Sequence, residues 1–133
     1  MNYQEQLAFA NKNNMFMVHS NVKGIALNDE HAIVRGEIDA TSMNAMGGIH
    51  GGYLFLMGDC AAGLLARSTG HVFVTLNSNF RYLRDGREAK SLIAESSLVK
   101  RGKTVTVVRT VVSVEGTQKV LAEGEFTFFC VDK

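Results

Sequence analysis

Apolar and polar residues change their spacing several times along the 133-residue chain, and each change marks a new element. Residues 2–13 set Leu7, Phe9 and Ala10 among good helix formers, which predicts a short amphipathic helix. Alternation follows. Residues 21–27 and 31–39 read as strands, the second through Ile33-Val34-Arg35-Gly36-Glu37-Ile38, with Asn28-Asp29-Glu30 as the hairpin turn between them. Thr41 to Gly52 is small, polar and glycine-rich. Tyr53 to Ala66 is then a run of 14 residues whose only charge is Asp59, closed by Ser68-Thr69-Gly70. This run predicts one helix buried nearly all round, with Gly58, Ala61, Ala62 and Gly63 allowing other backbone to approach closely. Beyond Gly70 the period of two returns over 72–83, 89–99, 103–115 and 118–129, rich in Val, Thr and Phe. Arg84-Asp85-Gly86, Arg101-Gly102 and Glu115-Gly116-Thr117 supply the turns.

Helix, two strands, a buried helix and a meander of four long strands form an α+β pattern, with the helices kept to one face of an antiparallel sheet. A sheet this long around one helix must curve, and its edge strands invite pairing with another copy of the chain. An oligomer is therefore expected. Residues 1–133 should form a single domain, because no proline, repeat or linker-like stretch divides them and 46% hydrophobic residues suffice for one core.

Charge narrows the partners. With 14 Lys plus Arg against 13 Asp plus Glu, the surface has no overall bias toward nucleic acid or an anionic membrane. The polar start MNYQEQLAFANKNN does not resemble a secretory signal, and no apolar run approaches the ~20 residues that span a bilayer. Cys60 and Cys130 lie 70 positions apart, unlike a disulfide framework or a closely spaced metal cluster, so a reducing cytoplasm is the expected location.

Asp59 stands out, because an ionised carboxylate in an apolar helix costs several kcal/mol unless it is hydrogen-bonded, paired or protonated. It is either a structural acid or a general base or nucleophile. Upstream, Asn44-Ala45-Met46-Gly47-Gly48-Ile49-His50-Gly51-Gly52 leads into the helix, whose first N–H groups can polarise a carbonyl if the segment is more than an ordinary flexible loop. Gly51 and Asp59 stand eight residues apart, roughly 12 Å along one helix at about 1.5 Å per residue. If they share a reaction centre, Asp59 must meet the helix start of a second subunit, which a two-fold dimer supplies twice.

Asn44-x-x-Gly47-x-x-His50-Gly51-Gly52 followed by Asp59 resembles the signature of the phenylacetic acid degradation thioesterases, a family of hotdog-fold proteins. Val74-Thr75-Leu76, Asn79-Phe80-Arg81-Tyr82-Leu83, Lys100-Arg101-Gly102-Lys103 and Gly124 to Phe128 extend the likeness over about 110 residues. The resemblance implies a long helix wrapped by a curved sheet, a dimer with one continuous sheet, and pairing of dimers into a homotetramer. It also implies acyl-CoA thioester hydrolysis, in which Asp59 activates or orients water, or attacks the thioester carbonyl directly, while the partner's Gly51 amide polarises that carbonyl. Asn44 and His50 would support the site, and Thr75 would help hold the water.

Gly52 belongs to the same helix start and is a candidate substrate contact, and Arg84, Lys100, Arg101 and Lys103 are candidates for the coenzyme A phosphates against a default of solvated turn charges. Asp85 departs from the family, whose members often have proline there. No cofactor or metal is called for, since His19, His31, His50 and His71 lack ligand spacing, and no GxSxG elbow is present. Cys60 points about 100° away from Asp59 and reads as a small buried hydrophobe. The competing readings are a hotdog dehydratase or hydratase using His50 with Asp59, and a non-catalytic acyl-CoA binding module.

Overall fold

The structure is a computed structural model and describes residues 1–132. Helix α1 (Tyr3–Asn13) starts from a reciprocal cap, in which the Asn2 side chain accepts the Glu5 N–H and the Glu5 side chain accepts the Asn2 N–H. Asn14 ends it and immediately starts α2 (Met15–His19) by accepting the Met17 N–H. The spacing over residues 2–13 predicts α1 alone; α2, with five residues, is too short to show a period.

Strands β1 (Val22–Leu27) and β2 (His31–Glu37) form the expected hairpin, and α3 (Gly51–Ala66) follows. Four long strands complete the chain: β3 (Phe73–Tyr82), β4 (Ser91–Lys100), β5 (Val105–Val114) and β6 (Val120–Cys130). The six form one antiparallel sheet in the order β1-β2-β4-β5-β6-β3. The expected four-strand meander is thus corrected. Residues 83–90 leave β3 and pass the start of α3, where the Asp85 carbonyl accepts the Ile49 N–H at 2.9 Å, and Lys90 O accepts the Ile38 N–H beside β2. That path delivers β4 to β2 and leaves β3 at the far edge beside β6.

Helix α3 begins at Gly51, two residues before the predicted start, because His50 supplies the cap that the glycines lack. Leu54, Met57, Ala61 and Leu65 are shut away against Val34, Leu92, Ala94, Val108, Val112, Phe126 and Phe128. Each large side chain so buried contributes about 1.5–3 kcal/mol. Two sheet hydroxyls fix the helix in place: Ser96 donates to Ala61 O at 2.8 Å and Thr110 to Gly58 O at 3.2 Å.

Gly124 lets β6 lie against β3, since a Cβ there would sit 2.2 Å from the Asn79 carbonyl oxygen and 2.7 Å from the Phe80 Cα. Both obstacles are backbone. Gly124→Ala is expected to cost about 3 kcal/mol, the upper end of the usual range for overpacking, because neither strand can yield. A thermal melt should show a fall of roughly 10 °C. An unchanged melting temperature would mean that β3 shifts freely along this edge.

Candidate active site

Asp59 lies half-buried on the side of α3 facing β3, where its Oδ1 accepts a 2.7 Å hydrogen bond from the Thr75 hydroxyl. Partial access to solvent and this bond offset the cost expected for an acid in an apolar helix. A bulge in β3 makes the meeting possible. The register with β6 slips between Thr75 and Asn77, so Phe73 and Thr75 on one side, and Ser78, Phe80 and Tyr82 on the other, all stand opposite the buried β6 positions Cys130, Phe128, Phe126, Gly124 and Ala122.

The other candidate groups gather at the helix start. Nothing among the described residues accepts the Gly51 N–H, the first amide of α3. The neighbouring Gly52 N–H is taken by His50 Nδ1 at 2.8 Å. His50 is therefore a helix cap whose acceptor nitrogen is Nδ1, leaving the neutral ring's proton on Nε2. Asn44 braces the loop before it, for its Oδ1 accepts the N–H groups of Met46 and Gly48 at 2.9 and 3.0 Å.

A cleft of about 360 Å³ opens in front of Gly51, lined by Ile49, Leu54, Tyr82, Leu83 and Arg84. The Tyr82 ring forms its wall, and a Cβ on Gly51 would lie 3.3 Å from it. Arg84 stands at this cleft and donates to Val120 O at 2.7 Å. Asp85 offers its carbonyl to Ile49 and its carboxylate to Arg87, whose guanidinium reaches Met46 O at 2.7 Å. Arg87 thus latches residues 83–90 onto the glycine-rich loop. Arg87 is invisible in the sequence, because no periodic or motif position marks it.

The structure therefore groups the candidates into three places. Asp59 and Thr75 meet midway along α3, whereas Gly51, Gly52, His50, Asn44 and Arg84 surround its start. Lys100, Arg101 and Lys103 lie at the opposite end of this 16-residue helix, roughly 24 Å from Gly51 within one chain. Arg101 is occupied there: it donates to Leu65 O, Ala66 O and Ser68 Oγ at 3.0, 2.9 and 3.0 Å, closing the helix C-terminus. Lys103 is exposed on a cleft of about 460 Å³ shared with Thr69, His71 and Phe73, and Lys100 is exposed at the end of β4.

Cys60 is buried, and that burial, reinforced by the charge of Asp59, pushes its thiol up to about 12. It is a core side chain, as its position on the helix suggested. Arg67 was not anticipated. Its guanidinium folds back over Gly63 and donates to Phe73 O at 3.2 Å, while burial lowers its pKa.

Comparison with known proteins places this geometry. The profile of the thioesterase superfamily matches residues 46–121, which contain Gly51, Asp59 and Thr75. The smu.793 protein of Streptococcus mutans UA159, solved bound to acetyl CoA, is 34% identical over 85% of this chain and 90% of its own, with a TM-score of 0.78. A hypothetical thioesterase of Streptococcus pneumoniae TIGR4, solved with coenzyme A, is 28% identical over 93% of this chain and 98% of its own, with a TM-score of 0.83. That protein was also solved as an aspartate-to-alanine and as a threonine-to-alanine variant, the two positions 16 residues apart. The E. coli PaaI protein from the phenylacetic acid degradation operon shares the fold, with a TM-score of 0.89 at 23% identity over 97% of this chain and 94% of its own. No curated protein matches the chain. With a superfamily profile covering more than half its length and a long helix wrapped by a curved antiparallel sheet, this chain is a hotdog-fold member of the thioesterase superfamily.

Proposed function

We propose that the chain hydrolyses an acyl- or aryl-CoA thioester to the free acid and coenzyme A, as one domain acting in a homodimer. The observation that carries this reading is the pairing of Asp59 with the Thr75 hydroxyl, set against an open Gly51 amide at the start of the same helix. Asp59 and Thr75 are separated by 16 positions, the spacing of the two residues exchanged in the pneumococcal protein.

Within one chain Asp59 and Gly51 are too far apart to reach one carbonyl carbon, so the reaction centre forms between two subunits. Strand β3 supports this assembly: it is a sheet edge ten residues long with Val72, Val74 and Leu76 exposed beside it. Pairing β3 with its copy makes one continuous sheet and brings each Asp59 toward the other chain's Gly51. Val74 and Leu76, with Phe129 on the neighbouring strand and Val131 just past its end, leave a further exposed apolar patch, suited to joining two dimers into a tetramer.

In the reaction the Gly51 N–H donates to the thioester oxygen and takes up the charge that develops there. Asp59 either removes a proton from water as it attacks the carbonyl or attacks that carbon itself. The Thr75 hydroxyl holds the carboxylate in the required orientation, and His50 and Asn44 keep the helix start rigid. The thiolate then leaves and takes up a proton to become coenzyme A; where Asp59 has attacked the carbon, water next cleaves the resulting acyl anhydride, which releases the free acid and restores the carboxylate. Gly52, exposed in the same turn, is a candidate substrate contact, and Arg84 at the cleft and the basic group Lys100, Arg101 and Lys103 are candidates for the coenzyme phosphates, Arg101 only through N–H groups not already bonded to the end of α3. In a two-fold dimer with antiparallel helices, the basic end of one helix comes toward the start of the other. A cytoplasmic location agrees with the thiols and with coenzyme A as substrate.

Thiol release from phenylacetyl-, benzoyl-, hexanoyl- and palmitoyl-CoA tests the reading directly. Hydrolysis of at least one is expected; folded protein that consumes none would transfer the proposal to a dehydratase, read by enoyl absorbance, or to a binding module. Thr75→Ala removes a hydrogen bond to a charged group, a loss of about 1.5–3 kcal/mol, so kcat should fall roughly ten- to a hundredfold. Thr75→Ser should restore most of it.

A further inference from the structure

Outside the site just described, three metal-ligating side chains converge where β3 begins and β6 ends. His71, Cys130 and Asp132 each turn one ligand atom inward, and the three atoms all lie within 4.8 Å of one another. His71 Nδ1 is 3.3 Å and Cys130 Sγ 3.5 Å from the same oxygen, Asp132 Oδ1. These separations match the edges of a zinc tetrahedron. With zinc bonds of about 2.05 Å to nitrogen or oxygen and about 2.3 Å to sulfur, tetrahedral edges come to ~3.4 Å for N···O and ~3.6 Å for S···O.

The backbone already holds the three residues in place. The His71 N–H donates to Thr69 Oγ1, the Val72 N–H to Asp132 Oδ1, and the Val131 N–H to Val72 O. Cys130 is fixed at the end of β6 by its N–H bond to Thr104 O. The Val72 amide both orients the carboxylate and holds its pKa below the usual range. Cys130 is buried, whereas His71 and Asp132 are exposed, so a fourth position faces the cleft beside Thr69 and Lys103.

We propose that His71, Cys130 and Asp132 form a binding site for a zinc-class divalent cation that ties the end of β6 to the start of β3. A thiolate, an imidazole and a carboxylate with one position left to water are a donor set that favours zinc over magnesium or calcium. Without the ion, the Cys130 S–H points at Asp132 Oδ1. Binding replaces that proton with the cation: the thiol releases it, and the resulting thiolate and carboxylate balance the ion's two charges. Arg101 and Lys103 line the neighbouring cleft and repel a loosely attracted cation, so occupancy depends on direct coordination by the sulfur. This site is independent of the proposed hydrolysis.

Cobalt(II) titration of the full chain tests the proposal, because a thiolate ligand produces a near-ultraviolet charge-transfer band and tetrahedral cobalt produces visible bands. One cobalt per chain is expected, displaced by zinc, with the charge-transfer band lost in Cys130→Ser and retained in Cys60→Ala. His71→Ala and Asp132→Asn change exposed side chains and serve if Cys130→Ser does not fold; each should weaken cobalt binding and abolish the rise in melting temperature that zinc gives the parent. No charge-transfer band in the parent, a band that survives Cys130→Ser, or one lost only in Cys60→Ala would overturn the site.

Discussion

Asp59→Asn is expected to lower kcat by about 10²–10⁴-fold while leaving the fold and the oligomer intact. The amide keeps the shape of the carboxylate and still accepts the Thr75 hydroxyl bond, so only the charge and basicity are removed. Because a half-buried charge is lost, the variant should melt no lower than the parent, as sites that trade stability for activity do. Thiol release and a thermal melt on the same preparations separate the two effects. Full activity in a folded variant would remove Asp59 from the chemistry, and a large fall in melting temperature would recast it as a structural acid.

The second large effect appears only when two variants are mixed. Gly51→Pro deletes the one amide of α3 for which nothing among the described residues is an acceptor, at a position where proline suits the first turn of a helix. Each variant alone should be nearly inactive. In a mixed population of Asp59→Asn and Gly51→Pro chains, half of the dimers pair unlike chains, and one site of each such dimer draws an intact Asp59 from one chain and an intact Gly51 from the other. About a quarter of the parental activity should therefore return after the two are unfolded and refolded together. Recovery would establish a centre shared between subunits, whereas none, with hetero-oligomers shown to form, would mean that each centre draws both groups from one chain.

Much of this architecture could be read in the sequence because it rests on local signals. Good helix formers and apolar spacing marked α1, the single charge in a long apolar run marked α3 and Asp59, and alternation marked every strand. The strand order was different, since nothing local to residues 72–83 says that β3 avoids β4; that depends on the Asp85 and Lys90 backbone bonds which steer residues 83–90 past the helix. Side chains whose partners lie far along the chain were equally hidden. Arg101 reads in the sequence as a turn charge, solvated or available to a phosphate, but closes α3 more than 30 residues away, and Arg87 holds a loop 41 residues distant. His71 and Asp132 are 61 positions apart and become neighbours only once β3 lies beside β6.

The bulge at Leu76 has a consequence for how this strand can change over time. By admitting one extra residue, it reverses which positions look inward, so Thr75 and Phe80 share a face although an odd number of steps separates them. Removing or adding one residue between them would turn either the hydroxyl away from Asp59 or the phenyl ring away from Phe126. Length is thus as constrained here as identity. Descendants of this chain should carry insertions in the turn at Glu115-Gly116-Thr117, where the Gly116 surroundings are open, and keep Thr75 to Phe80 at constant count.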